Sequence, residues 1–173
     1  GNAVVTVGGR LKAAHVIHAV GPDYRAETWA NVEAADEVLR STYAAAMTLA
    51  AEKGAKSIAF ALLSSGIFRG PRSLEDVLSI AMGAIKEGSY PGLEEVHVVA
   101  ESGKSEEKEV AALRAAIASA FEGKEASLVF AGGVAEHEEE EELGLPGFDL
   151  GNFDGDGDGE GDGFVSVSEL SIP

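Results

Sequence analysis

Residues 56–71, KSIAFALLSSGIFRGP, constrain the fold of this chain more than any other stretch. Residues 57–63 form a short apolar run without polar alternation, bounded by turn signals. Such a run suits a strand buried on both faces of a sheet. It gives way to Ser64-Ser65-Gly66-Ile67-Phe68-Arg69-Gly70-Pro71, and a helical pattern opens at Ser73. The order is buried strand, small-residue loop, helix start. Open α/β sheets bind ligands at loops leaving the C-terminal ends of parallel strands. Backbone N–H groups of a tight glycine loop and of a helix start attract anions, phosphates above all.

The flanking segments supply the rest of an alternating pattern. Residues 3–7 and 15–20 are short β-like runs, closed by Gly8-Gly9 and Gly21-Pro22. A helical pattern spans about residues 29–53, where Val38, Leu39, Thr42, Ala46 and Leu49 recur at helical spacing and Gly54 supplies the stop. Ser73 reads as an N-cap with Asp76 three residues on. Leu74, Val77, Leu78, Ala81 and Ile85 then form one apolar stripe. Residues 95–100 are another buried-strand candidate. Ser105 caps a further helix whose Val110, Leu113, Ile117 and Phe121 share a face, and residues 126–131 read as one more strand. Strands alternating with helices predict a three-layer α/β fold, its mixed or mainly parallel sheet flanked by helices.

The formal charge of −17 is unevenly spread. All 13 Lys and Arg precede Ala126, whereas the 13 acids after Val134 have no Lys or Arg among them. The run 136–142 is nearly all Glu, and residues 151–163 alternate glycine with acids. These compositions predict a solvated, flexible acidic tail. Net acidity argues against a nucleic-acid backbone or an anionic membrane as partner. There is no cysteine, hence no disulfide, thiolate metal site or cysteine nucleophile. With no membrane-length apolar run and no signal peptide at its start, the chain is expected to be intracellular, in an unspecified compartment. His15, His18 and His97 lie in strand-like runs, where a lone histidine is more often a satisfied core residue than a catalyst. No nucleophile elbow, Walker loop, dinucleotide fingerprint or H-E-x-x-H motif is present.

Three segments, in order and spacing, resemble the macro domain family, modules that bind ADP-ribose. Ala3-Val4-Val5-Thr6 with Gly8-Gly9 is similar to the family's AVVT strand and turn. Val16-Ile17-His18-Ala19-Val20-Gly21-Pro22 is similar to its VIHAVGP strand, and Ser64-Ser65-Gly66-Ile67-Phe68 to its second phosphate loop. The resemblance covers roughly residues 1–121. It implies binding of ADP-ribose, a related nucleotide diphosphate or an ADP-ribosylated protein. The ligand-binding residues so implied are Ser64, Ser65, Gly66, Ile67, Phe68 and Arg69, with Gly21 and Pro22 as one wall and Phe68 along the distal ribose. Arg69 stands where many members carry glycine, and either adds a charge contact to phosphate or obstructs the site. In the family, an acidic strand, an Asn-rich segment and a first Gly-rich loop precede the AVVT strand. On that reading this is the later part of a macro fold, lacking its N-terminal strands and needing an upstream segment or a partner chain. The alternative function, an ADP-ribosyl or ADP-ribose-phosphate hydrolase, needs those upstream residues.

A second pattern lies in the tail. Residues 158–169 fit the twelve-residue EF-hand loop: Asp158, Glu160 and Asp162 at positions one, three and five, the Phe164 carbonyl at seven, Ser166 at nine and Glu169 at twelve. Hard Ca²⁺ wants this all-oxygen shell. Glu160 is longer than the usual Asp or Asn, and flanking helices are not evident, so a weak Ca²⁺ site is expected. The sequence thus divides into a macro-like domain over residues 1–123, an acidic linker over 124–150 and an EF-hand-like tail over 151–173. A Ca²⁺-responsive interaction protein on a degenerate scaffold is the remaining alternative.

Overall fold

Two capped helices set the frame of the computed structural model, which describes residues 1–101, 106–121, 127–131 and 164–168. Asn31 is extended, and its side-chain oxygen accepts the Ala34 N–H at 2.9 Å, so α1 runs Val32–Glu52. It ends where Gly54 N–H donates to the Ala51 carbonyl and Ala55 N–H to the Ala50 carbonyl, both at 3.0 Å, the paired bonds of a Schellman stop. Ser73 caps α2 (Leu74–Glu87) as its sequence predicts, accepting the Asp76 N–H at 3.1 Å. A third helix, α3, covers Glu106–Ala120.

The strands are β1 (Ala3–Val7), β2 (His15–Ala19), β3 (Ser57–Ala61), β4 (Glu95–Glu101), β5 (Ser127–Ala131) and β6 (Phe164–Ser168). They form two sheets among the described residues. β1 and β2 are an antiparallel pair, and the other four run in the order β3-β4-β6-β5. β3 and β4 are parallel, whereas β6 is antiparallel to both its neighbours, so this sheet is mixed.

One core serves both sheets. α2 packs between α1 and α3, while α1 lies on β1 and β2. Leu39, Tyr43 and Met47 of α1 meet Leu78, Met82 and Ile85 of α2, with Phe60, Val96 and Val98 from the sheet and Leu113 and Ile117 from α3. All the buried α1 positions are apolar except Thr42. The Thr42 hydroxyl bonds to the Val38 carbonyl at 2.7 Å and reaches the Val20 carbonyl at 3.2 Å, tying α1 to the end of β2.

Two expectations need correction. β3 was expected to be buried on both faces, yet it buries Phe60 and half-buries Ile58, while Ala59 and Ala61 are exposed. The described helices pack together on the face bearing Phe60, so the described residues show two of the three expected layers. The strand histidines are not core residues either. His18 and His15 are exposed and His97 is half-buried. His18 Nε2 lies 2.9 Å from the Thr6 hydroxyl across the hairpin.

The tail pattern falls mostly outside the described residues: Asp158, Glu160, Asp162 and Glu169 are all there. Phe164 and Ser166 are in β6, paired on both edges, with Ser166 opposite Val99 and Val129. A strand paired on both edges commits its backbone polar groups to the ladder, which differs from a loop curled around a cation. Among the described residues, no group of three or more potential metal ligands occurs, and no helix is long and apolar enough to cross a membrane.

Candidate functional site

The chain leaving β3 is gripped at once. Leu63 N–H donates to the Tyr43 hydroxyl at 3.0 Å. Tyr43 is fully buried, its ring 5.4 Å from that of Phe60, and burial pushes its phenol up to about 12. The next residue, Ser64, has φ 54°. This left-handed conformation is uncommon for a residue with a side chain and costs about 1–3 kcal/mol unless its surroundings hold it. Here the Ser64 hydroxyl donates to the Pro22 carbonyl at 2.7 Å. Gly21 permits the approach: a Cβ there would lie 2.5 Å from Ser64 Oγ and 3.3 Å from Leu63 Cβ. The candidate segments Gly21-Pro22 and Ser64–Arg69 therefore meet directly, although they are remote in sequence.

Beyond Ser64 the loop opens. A short 3₁₀ turn covers Ile67–Arg69, and Arg69 N–H donates to the Gly66 carbonyl at 3.0 Å. Among the described residues, no acceptor pairs with the N–H groups of Gly66, Ile67 and Phe68. Successive backbone N–H groups without an internal acceptor make this loop a candidate anion site. Gly66 is exposed, and a Cβ on it would meet nothing within 4 Å. Ile67 and Phe68 are exposed as well, at 73% and 52%.

Arg69 does not reach out of this loop. Its Nε donates to the Ser65 carbonyl at 2.9 Å and its Nη1 to the Arg72 carbonyl at 2.7 Å. It braces the loop from within, which differs from both roles the sequence left open for it. Arg72 is braced in turn. Its Nε and Nη2 donate to the two oxygens of Asp36 at 3.2 and 2.8 Å, and its Nη1 to Asp76 at 2.8 Å. The Tyr24 hydroxyl donates to Asp36 at 2.8 Å. Burial and this acceptor raise the Tyr24 phenol well above its usual range, so it stays a donor. The network joins the chain after β2 to both α1 and the start of α2.

The segment after Pro22 adds residues that local patterns do not flag. Tyr24 N–H donates to the Phe68 carbonyl at 2.9 Å. Arg25 lies over the Phe68 ring and grips Asp23 with two bonds. Those bonds, with a third from the Arg25 backbone, hold the Asp23 carboxyl down at about 2. A repeated contact with a residue more than forty positions away leaves no periodic signal. Beside this seam, an open cavity of about 520 Å³ is lined by residues that include Ala3, Val20, Gly21, Pro22, Trp29 and Val38. The Trp29 indole N–H donates to the Asp23 carbonyl at 2.7 Å, which fixes the ring at the cavity wall.

Comparison with known proteins identifies the family and the fold. The chain is 38% identical over 101 residues to a macro domain-containing protein of Cupriavidus necator, covering 57% of this chain and 55% of that protein. It is 40% identical over 74 residues to the O-acetyl-ADP-ribose deacetylase of Escherichia fergusonii, covering 42% of this chain and 39% of the enzyme. The chain spans about half the length of the relatives it matches. In structure it resembles the Oceanobacillus iheyensis macrodomain, with a TM-score of 0.55 at 22% identity, over 70% of this chain and 59% of that one. The macro domain model matches residues 1–90, more than half of the chain, which belongs to the macro domain family.

Proposed function

We propose that this chain binds ADP-ribose or a related nucleotide diphosphate at the seam between Gly21-Pro22 and the loop Ser64–Phe68. The observation that carries this reading is the loop itself. Ser64 is held in a left-handed conformation against Pro22, and the exposed amides of Gly66, Ile67 and Phe68 follow it. Strained backbone held in place by its neighbours is often found at ligand clamps. Consecutive backbone N–H groups without an internal acceptor suit a diphosphate, because they offer several donors at once without adding a mobile cation. Family membership and the deacetylase among the relatives support the choice of ADP-ribose.

Calorimetric titration of ADP-ribose into the full chain tests the proposal. Micromolar binding is expected, and Gly66→Glu should abolish it. A side chain at Gly66 meets nothing in the free protein, so the variant should fold while placing a carboxylate in the mouth of the loop. Absence of heat from a folded wild-type chain refutes the reading.

The deacetylase relative favours hydrolysis of an ADP-ribose derivative as a second reading. The carboxylate of the seam, Asp23, is committed to Arg25 and the Ser64 hydroxyl to the Pro22 carbonyl, so binding is preferred. A Ca²⁺ site over residues 158–169 is a separate proposal that rests on the residue pattern. Closing such a loop would take β6 out of its ladder with β4. Titration of Ca²⁺ to millimolar levels, read by amide exchange at Val98 and Val99, tests it; unchanged exchange rules it out.

A further inference from the structure

Phe68 is the large aromatic of the candidate loop, half-exposed, and a cation lies against it. The Arg25 guanidinium carbon is 5.1 Å from the ring centroid. Arg25 is itself fixed. Its Nε and Nη2 donate to the two oxygens of Asp23 at 2.9 and 2.7 Å, and its backbone N–H donates to Asp23 Oδ1 at 3.0 Å. The two backbones are joined where Tyr24 N–H meets the Phe68 carbonyl. Gly70, at φ 54°, leaves room for the stem of Arg25. A Cβ on Gly70 would lie 2.8 Å from Arg25 Cγ, so any larger residue there would push the guanidinium off the ring.

An arginine so placed covers one face of an aromatic and leaves the other free. An exposed phenylalanine without such a partner hops between rotamers, and a ligand that stacks on it must first stop that motion. We propose that Arg25, pinned by Asp23, is a positioning residue that holds the Phe68 ring as a preformed platform for the sugar beyond the diphosphate. It thereby sets a preference for ligands that carry such a sugar over those that end at the phosphate. This rests on the binding reading above. The amides of Gly66 and Ile67 are not touched by Arg25, so the phosphate end of the site should not depend on it.

The experiment compares wild type, Arg25→Ala and Arg25→Lys by calorimetry with ADP-ribose and with ADP, and by the Phe68 ring resonances of the free proteins. Arg25→Ala should weaken ADP-ribose binding about three-fold, leave ADP affinity unchanged and shift the Phe68 ring resonances. Arg25→Lys keeps a cation but loses the two-pronged grip on Asp23, and should fall between the other two. Equal losses for ADP and ADP-ribose, or no loss for either, overturn the inference. Unmoved ring resonances in Arg25→Ala overturn it as well, even if the wild-type chain binds neither ligand. That last result would sink the binding reading on its own.

Discussion

Tyr43 shows how one side chain can join packing to the candidate site. Its ring fills the core beside Phe60 while its oxygen receives the Leu63 N–H, the last backbone donor before the strained Ser64. Its phenol is raised from 10.0 to about 12 by burial. The folded state therefore holds the phenolic proton more tightly than the unfolded chain does. The stability this contributes is complete below pH 10 and is lost as pH rises toward 12, by about 2–3 kcal/mol. Tyr43→Phe should cost about 1–3 kcal/mol at neutral pH by leaving the Leu63 N–H without its partner, and should make the alkaline fall smaller, leaving the share that the raised Tyr24 phenol contributes. Urea denaturation at pH 8 and pH 11 checks both. An alkaline fall of the same size in the variant would show that Tyr43 does not cause it.

At the scale of elements, α1 is the piece on which everything else rests. It packs on β1, β2 and α2 and lends Thr42, Tyr43 and Asp36 to the chain segments around the site. Leu39 sits at the centre of that surface, fully buried. Leu39→Ala should lower stability by about 2–5 kcal/mol and weaken ligand binding with it, since Leu39 also lies 3.6 Å from where a Gly21 Cβ would stand. Chemical denaturation with a parallel ADP-ribose titration measures the two effects together. The Ser73 cap and the α2 stripe were legible beforehand because their causes are local, whereas the Asn31 cap of α1 was not singled out and Ser105 lies outside the described residues. The Ser73–Asp76 pair and the α2 stripe each involve residues within a few turns of one another. The loop Ser64–Phe68 was legible too, as a run of small residues after an apolar strand. What escaped were the contacts across the fold. Arg25 over Phe68, Tyr24 on Asp36 and Arg72 on Asp36 pair residues that share no spacing rule. The exposed face of β3 escaped for a related reason: an apolar run does not say whether anything covers its second side, and alanine suits either setting.

On the scale of the whole molecule, most of the net negative charge and the proposed binding loop are separated along the chain. The described part carries nearly all the cations, and the three arginines around the loop are spent on internal partners: Arg72 on Asp36 and Asp76, Arg69 on carbonyls, Arg25 on Asp23. The proposed binding would thus draw on backbone amides, whose dipoles do not titrate, and not on a cluster of free cations. Its affinity should therefore change little between pH 6 and pH 9.

The division into two sheets has a consequence for stability. β2 and β3 are not ladder neighbours among the described residues, and the two halves touch where Ser64 bonds to Pro22. A ligand seated at that contact spans both halves, and the hairpin of β1 and β2 could not swing away without releasing it. Exchange of the Val5 and Ile17 amides should then slow about a hundred-fold when ADP-ribose is supplied at 100 times its Kd, equivalent to about 2.7 kcal/mol. Slowing confined to residues 64–70 would show that the hairpin opens independently. Bound nucleotide would act as a reversible suture across the chain, and resistance to proteolysis would report how much of it is present.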